Sequence, residues 1–325
     1  MPELSRRVQT FTDSVIRRMT RINNMTPGSI NLSQGFPDFD PPKAMLDALA
    51  KVAYEGPHQY AVTFGAQNFR EALARKQEKA IGRKINPNTE IVVTCGGTEA
   101  MMSAMMTICN PGDKVIIQQP VYDPFAELIK KTGRVMVNNG LICNDGLYEM
   151  DFPLLEEQAA DPDAKIMILC SPHNPVGRVW TKEELARVGE ICKKNNVLVI
   201  ADEIHSDLVY AGYVHTPFAL ASDAPHLVCT SLGKTFNVAG LRLANIFSSS
   251  AELKKQYDQE IDAYSYSASN TFGLEMVQAA YSPEGEAWLE ELLVYLQGNV
   301  EVVSEWCQKH NVGFTAPQGT FLCWL

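Results

Sequence analysis

The chain has no apolar run approaching the ~18 to 20 residues of a membrane span. Its N-terminus, Met1-Pro2-Glu3-Leu4-Ser5-Arg6-Arg7, leads into a charged segment with no signal-peptide core. Clustered cations are missing too: 28 Lys and Arg stand against 38 Asp and Glu, a net charge of -10. A phosphate backbone or an anionic membrane surface is bound by clustered Lys and Arg, so neither is expected as the main partner. These absences point to the cytosol. The eight cysteines (Cys95, Cys109, Cys143, Cys170, Cys192, Cys229, Cys307, Cys323) include no C-x-x-C pair, and several lie in apolar runs. They are expected to be buried, reduced thiols. There is no G-x-S-x-G elbow for a Ser-His-Asp hydrolase, and no G-x-G-x-x-G after a first strand for a nicotinamide cofactor. No internal repeat or low-complexity segment is present.

What remains is a chain of 325 residues, 46% hydrophobic, able to bury a large core as one large domain or two. Residues 1 to 30 read as a helical arm ending in the turn-rich Asn23-Asn24-Met25-Thr26-Pro27-Gly28. From about residue 66 to 250, helix patterns (Ala66–Ile81, Thr98–Cys109, Lys182–Asn195) alternate with apolar runs of strand length: Ile91–Thr94, Lys114–Ile117, Lys165–Leu169, Val197–Ile200 and Leu227–Cys229. Alternation of this kind predicts β-α-β units around a mostly parallel sheet covered on both faces, an α/β class. Beyond residue 250 the pattern turns helical (Ala251–Tyr264, Glu284–His310), and Gly319–Leu325 is expected to end the chain as a strand.

In open α/β sheets a ligand lies beyond the carboxyl ends of the strands, so the residues after each apolar run are the ones to examine. The first is followed by Gly96-Gly97-Thr98, which can present backbone N–H groups and a helix dipole to a phosphate. The second is followed by Tyr122, able to stack on a flat ring. Asn174 in Ser171-Pro172-His173-Asn174-Pro175 can donate to a ring oxygen, and Asn174-Pro175 is a candidate cis peptide. The fourth run leads into Asp202-Glu203-Ile204-His205. The fifth leads into Ser231, Lys234 and, eight residues further, Arg242. A lysine of depressed pKa is a nucleophile toward aldehydes and an arginine is shaped to hold phosphate, a pair that describes pyridoxal phosphate. Taken singly each has a plainer role: a surface lysine, a strand-to-helix turn, a core aromatic, a helix cap. Asp202, Glu203, His205 and Asp207 are metal-ligand types, but contiguous acids with one histidine lack a recognised metal spacing, and no metal is expected.

With these residues together, Ser231 to Ala244 resembles the lysine-attachment signature of class I pyridoxal-phosphate aminotransferases at every position. The other strand ends fall in that family's order. The resemblance covers nearly the whole chain. It implies a three-layer fold type I architecture, with an N-terminal arm and part of a small domain (1–45), a large cofactor-binding domain (46–250) and an incomplete small α+β domain (251–325). It further implies that Lys234 is the covalent attachment point and moves the substrate Cα proton. Asp202 pairs with the pyridine nitrogen, Tyr122 stacks on the ring, and Asn174 bonds the ring oxygen. His205 falls in the cofactor set, while Gly97, Thr98, Ser231 and Arg242 hold the phosphate. Tyr60 corresponds to a tyrosine that reaches the phosphate of a neighbouring subunit, which implies a homodimer. Gly35, in Asn31-Leu32-Ser33-Gln34-Gly35-Phe36-Pro37-Asp38, corresponds to the segment over the carboxylate of the amino-acid substrate, a small molecule.

Two branches of the family share removal of the Cα proton. A transaminase then reprotonates the cofactor carbon, whereas a β-lyase expels a group, typically a thiolate, from Cβ. Most aminotransferases carry Asp-x-x-Tyr at the fourth strand. Asp202-Glu203-Ile204-His205 here, the Ser171–Trp180 segment and the tail Pro317–Trp324 resemble cystathionine β-lyases of the MalY/PatB type. Residues 30 to 100 and Arg242 are closer to kynurenine- or aspartate-type aminotransferases. The expected function is a carbon–sulfur β-lyase, with an aminotransferase as the alternative. Family members continue past the last residue here, and no residue matches their arginine for the substrate carboxylate. A cofactor-binding protein with impaired turnover is therefore the third reading.

Overall fold

The computed structural model describes residues 3, 5, 9, 14–32, 35–264 and 271–325. Its strands, in chain order, are β1 (Ile91–Thr94), β2 (Lys114–Ile117), β3 (Val135–Asn138), β4 (Ile142–Asn144), β5 (Leu147–Glu149), β6 (Ala164–Cys170), β7 (Leu198–Asp202), β8 (His226–Thr230) and β9 (Ala244–Ser248). Seven of them form one sheet in the order β1-β9-β8-β7-β6-β2-β3, while β4 and β5 make a separate hairpin. The pairs β2/β3, β2/β6, β6/β7 and β7/β8 are parallel. β9, absent from the runs read in the sequence, lies antiparallel between β1 and β8.

The helices are α1 (Val15–Met25), α2 (Lys43–Glu55), α3 (Gln67–Ile81), α4 (Gly97–Ile108), α5 (Pro124–Lys131), α6 (Phe152–Ala159), α7 (Lys182–Lys194), α8 (Phe218–Ala221), α9 (Leu232–Thr235), α10 (Ala251–Ala263), α11 (Thr271–Ala280) and α12 (Pro283–His310). Local chemistry sets several starts. Thr181 and Glu184 form a reciprocal capping box at α7, with bonds of 3.2 and 2.7 Å. Asp151 and Ser250 accept the third backbone N–H of α6 and α10.

The strands sort their side chains with a period of two, as a pleated sheet covered on both faces requires. Ile166 and Ile168 enter one cluster with Met101 and Met105 of α4, Ile129 of α5 and Tyr257 of α10. Met167 and Leu169 enter the other, with Phe69 of α3, Leu185 of α7 and Val277 of α11. Each fully buried side chain of this size contributes about 1.5 to 3 kcal/mol relative to exposure. A third, smaller cluster joins Leu208 and Tyr210 to Leu292, Leu296 and Val300 of α12, with Phe39 and Phe321 packed against it.

Two expectations are corrected. Gly319–Leu325 forms no strand: Gly319 makes an isolated bridge to Val209, and the remainder is irregular. Thr320 sits at φ 71°, outside extended geometry, and its N–H donates to the Leu208 carbonyl rather than to a ladder. Glycine permits this docking, because a side chain at Gly177 (φ 71°) would come 2.4 Å from Pro317. Among the described residues no disulfide is formed, but Cys143 and Cys323 are exposed and Cys95 is half-buried. Asn174-Pro175 is cis, as are Gly56-Pro57, Gln119-Pro120 and Ser171-Pro172.

Candidate active site

A cavity of about 190 Å³ opens at the carboxyl ends of the parallel strands. β1 delivers Cys95 to Thr98, β2 delivers Tyr122, β7 delivers Asp202 and Ile204, and β8 delivers Ser231 and Lys234. Arg242 arrives from the opposite direction. It precedes β9, and because that strand runs antiparallel, its first residues (Ala244 opposite Thr94, Asn245 opposite Thr230) lie beside the last residues of β1 and β8. The antiparallel strand thus places the arginine at the same rim as the lysine.

Charge is distributed unevenly across the cavity. At one side, the 12-residue α4 starts at Gly97, so its first free N–H groups and the positive end of its dipole stand beside Arg242. Gly96, at φ 89°, makes the turn into that helix. Arg242 itself adopts a left-handed backbone, φ 53°. On the floor, Asp202 is 4% exposed. Burial pushes its carboxyl up to about 7, against the opposing pull of the Ile204 N–H at 3.3 Å and the Lys234 charge. Burial lowers Lys234, with Asp202 opposing. Its Nζ stands 5.9 Å from the centre of the Phe321 ring, and among the described residues no carboxylate lies within ion-pair distance of it. Tyr122 is 37% exposed at the rim, its edge turned to Phe125, and burial followed by the Asp202 charge raises its phenol.

Seven of the expected residues therefore line one cavity: Gly97, Thr98, Tyr122, Asp202, Ser231, Lys234 and Arg242. Ser231 carries a qualification, since its hydroxyl donates to the Leu243 carbonyl at 2.6 Å and accepts from the Gly233 N–H. Asn174 and His205 are not among the lining residues. The Asn174 N–H is held by Cys170 Sγ at 3.3 Å. His205 packs its ring edge-on against Phe321, 5.3 Å between centres. Among the described residues its two ring nitrogens have no hydrogen-bond partner, and burial lowers its pKa to about 3. Gly35 lies against the tail, where a Cβ would come 3.0 Å from Leu322 and 3.1 Å from Phe321. Ser33 and Gln34 lie outside the described residues. Tyr60 is 94% exposed and not part of the cavity. Cys95 and Ile204 line the cavity without having been singled out. Both stand within two residues of a strand end, so the rule that found the others also reaches them.

The donor set has the chemistry of one ligand type. A helix N-terminus and a guanidinium suit a dianion, a buried acid near neutrality suits a heteroaromatic nitrogen, and a buried lysine of lowered pKa suits a carbonyl carbon. The sequence of residues 27–325 matches the family Aminotransferase class I and II. The chain belongs to that family. It is 35% identical over 293 residues to the cystathionine β-lyase PatB of Bacillus subtilis, covering 89% of this chain and 75% of PatB. It is 32% identical over 250 residues to mouse kynurenine–oxoglutarate transaminase 3, covering 74% of this chain and 54% of that one. The crystal structure of the pyridoxal-phosphate-bound C–S lyase from Staphylococcus hominis superposes with a TM-score of 0.82 at 31% identity, over 90% of this chain and 74% of that chain. The mostly parallel sheet clothed by helices is that of fold type I.

Proposed function

We propose that this chain is a pyridoxal-phosphate-dependent carbon–sulfur β-lyase acting on cystathionine or related cysteine thioethers in the cytoplasm. The observation that carries it is the cavity in which Lys234, Asp202 and Arg242 meet the start of α4. The likeness to PatB and to the C–S lyase directs the chemistry toward elimination. An aminotransferase is the second reading, favoured by the likeness to the kynurenine transaminase.

The residues fit the cofactor, which when bound supplies a carbonyl to take up the substrate amine and a ring to accept the electrons of Cα. Arg242 and the Gly97 and Thr98 amides would hold the phosphate, with Ser231 able to join if its hydroxyl turns from Leu243. Tyr122 covers the ring face, and Asp202 holds a proton at the ring nitrogen. Asn174 and the unpartnered His205 ring are the donors nearest in kind to a ring oxygen. Lys234 would hold the cofactor covalently, and its amine would take the substrate's Cα proton. In the elimination, the electron pair from Cα–H forms the Cα–Cβ double bond while the Cβ–S bond breaks, its pair leaving on sulfur. Water completes the balance: a cysteine thioether and water yield pyruvate, ammonia and a thiol.

The working unit in this proposal is a homodimer with residues 46–250 as the large domain and 1–45 with 251–325 as the small one. Exposed Tyr60 and helix α1, which has no buried residue, are surfaces that a second copy could cover. Among the described residues no helix is long and apolar enough to cross a membrane. The test is incubation of the purified protein with pyridoxal phosphate and cystathionine, following pyruvate, beside an assay with a 2-oxo acid acceptor. Pyruvate without acceptor supports the lyase. Amino transfer alone selects the aminotransferase, and neither product removes both.

A further inference from the structure

Helix α9 carries Lys234 but spans only Leu232–Thr235, too short to hold its own shape. Side chains fix it from outside. Ser231 ties its start to Leu243, and Asn237 Nδ2, just after it, donates to the Phe39 carbonyl. Thr235, covalently next to Lys234 and fully buried, turns away from the cavity and donates its hydroxyl to Asp207 Oδ2 at 2.9 Å. The same carboxylate oxygen accepts Lys76 Nζ from α3 at 2.5 Å, and that ammonium also lies 4.5 Å from the centre of the Tyr281 ring. Burial alone would raise the Asp207 carboxyl. The Lys76 charge and hydrogen bond, with that of Thr235, bring it below its ordinary value instead. An ionised carboxylate only accepts, so Thr235 can only donate to it, which fixes the hydroxyl rotor and with it the turn.

We propose that Asp207, paired with Lys76, is a positioning residue for Lys234: through Thr235 Oγ1 it sets how the amine enters the cavity. The inference rests on the reading of Lys234 as the attachment and proton-transfer residue. Displacement of a reacting group by about 1 Å costs on the order of 100-fold in rate. The effect belongs in kcat and in the chemistry of Lys234, with the phosphate contacts left in place.

The test compares wild type, Thr235→Val, Thr235→Ser and Lys76→Met. For each, the affinity for pyridoxal phosphate is measured by fluorescence quenching. The rate at which borohydride fixes the cofactor on the Lys234 peptide is followed by mass spectrometry, and kcat and KM are determined on the substrate the wild type turns over. Thr235→Val, nearly isosteric, is expected to slow fixation and to lower kcat by about 100-fold, with KM and cofactor affinity close to wild type. Thr235→Ser is expected to restore both, and Lys76→Met to lie between. Wild-type fixation and kcat in Thr235→Val, or a loss in Thr235→Ser as deep as in Thr235→Val, overturns the proposal. Should Thr235→Val not fold, Lys76→Met decides: this side chain is 34% exposed, and wild-type behaviour there overturns it equally. If wild type itself shows no fixation at Lys234, it is the underlying assignment of Lys234 that fails.

Discussion

Asp202 and Lys234 line the same cavity, and burial drives each toward its neutral form: the acid is raised to about 7 and the amine is lowered. Each charge favours the ionised form of the other, without an ion pair between them. Here dehydration prevails over their attraction in the protein alone. A ligand that brings a protonated ring nitrogen to Asp202 supplies the positive charge that returns the acid to its anion, while a carbonyl carbon at Lys234 uses the neutral amine that burial favours.

The first prediction concerns Asp202 and pH. A carboxyl raised in the folded state binds its proton at pH values where the unfolded chain has lost it, so its contribution to stability is present at acid pH and falls as pH rises from about 4 to about 7, by up to about 1.4 kcal/mol per pH unit. His173 and His205, lowered by burial to about 4 and about 3, act in the opposite sense: the unfolded chain takes up the protons, so stability rises with pH until about 6.5. Asp202→Asn removes the first effect alone. Cofactor-free Asp202→Asn is therefore expected to gain stability over wild type progressively from pH 4 to 7 and to hold that gain above it, in urea denaturation at each pH. With cofactor, turnover should fall by about 100- to 1,000-fold. A difference in stability that does not change with pH would contradict the buried, uncompensated acid.

His205 gives a second. Its ring nitrogens are buried without partners among the described residues, and replacing an unsatisfied buried polar group by an apolar one of similar shape is near neutral or stabilising. His205→Phe is expected to leave the cofactor-free protein as stable as wild type or up to about 1 kcal/mol more stable, while shifting the visible absorption of the bound cofactor. Thermal denaturation and a spectrum check both. A clear loss of stability would show that the ring has partners in solution.

The third concerns the tail. Arg178 is buried and reaches three elements at once: Tyr148 O at 2.8 Å, Gln318 Oε1 at 3.0 Å and Glu184 Oε1 at 2.7 Å, with Trp180 beneath its guanidinium at 4.8 Å. Arg178→Met leaves Glu184 without its cation and is expected to cost about 2 to 4 kcal/mol in chemical denaturation. Because Gln318 leads directly to Phe321 beside Lys234, the same substitution should weaken substrate saturation more than cofactor affinity. Unchanged stability would remove Arg178 as the clamp on the tail.

A fourth follows from the rim. Arg242 is exposed and forms no salt bridge among the described residues, so it is available to a phosphate. Arg242→Leu is expected to weaken pyridoxal phosphate by about 10- to 100-fold, and pyridoxal, which lacks the phosphate, hardly at all. Equal losses for both ligands in fluorescence titrations would place the phosphate elsewhere.

Much of the site was legible because parallel strands put their carboxyl ends at one rim, so residues after apolar runs can be gathered without knowing the strand order. Arg242 was legible from its spacing to Lys234 and from the signature, not from a strand end of its own. Its route to the cavity depends on β9 running backwards, and nothing in Ala244–Ser248 marks strand direction. The tail was misread because Gly319–Leu325 has strand-like composition, while its conformation is decided by Leu208 and Gly177, residues more than a hundred positions away. Asp207 was set among possible metal ligands. Its partner Lys76 lies 131 positions earlier, and no local pattern links an exposed-looking helix lysine to a buried acid at that distance. Tyr60 and Gly35 were read by resemblance alone, and one chain does not bring Tyr60 to the cavity.

The central claim is that Lys234 bonds the cofactor. Borohydride reduction of the protein loaded with pyridoxal phosphate, followed by digestion and mass spectrometry, tests it most directly. The account predicts a single pyridoxyl-phosphate adduct on Lys234, lost together with the visible band in Lys234→Ala. An adduct on any other lysine, or a band that survives in Lys234→Ala, would contradict it.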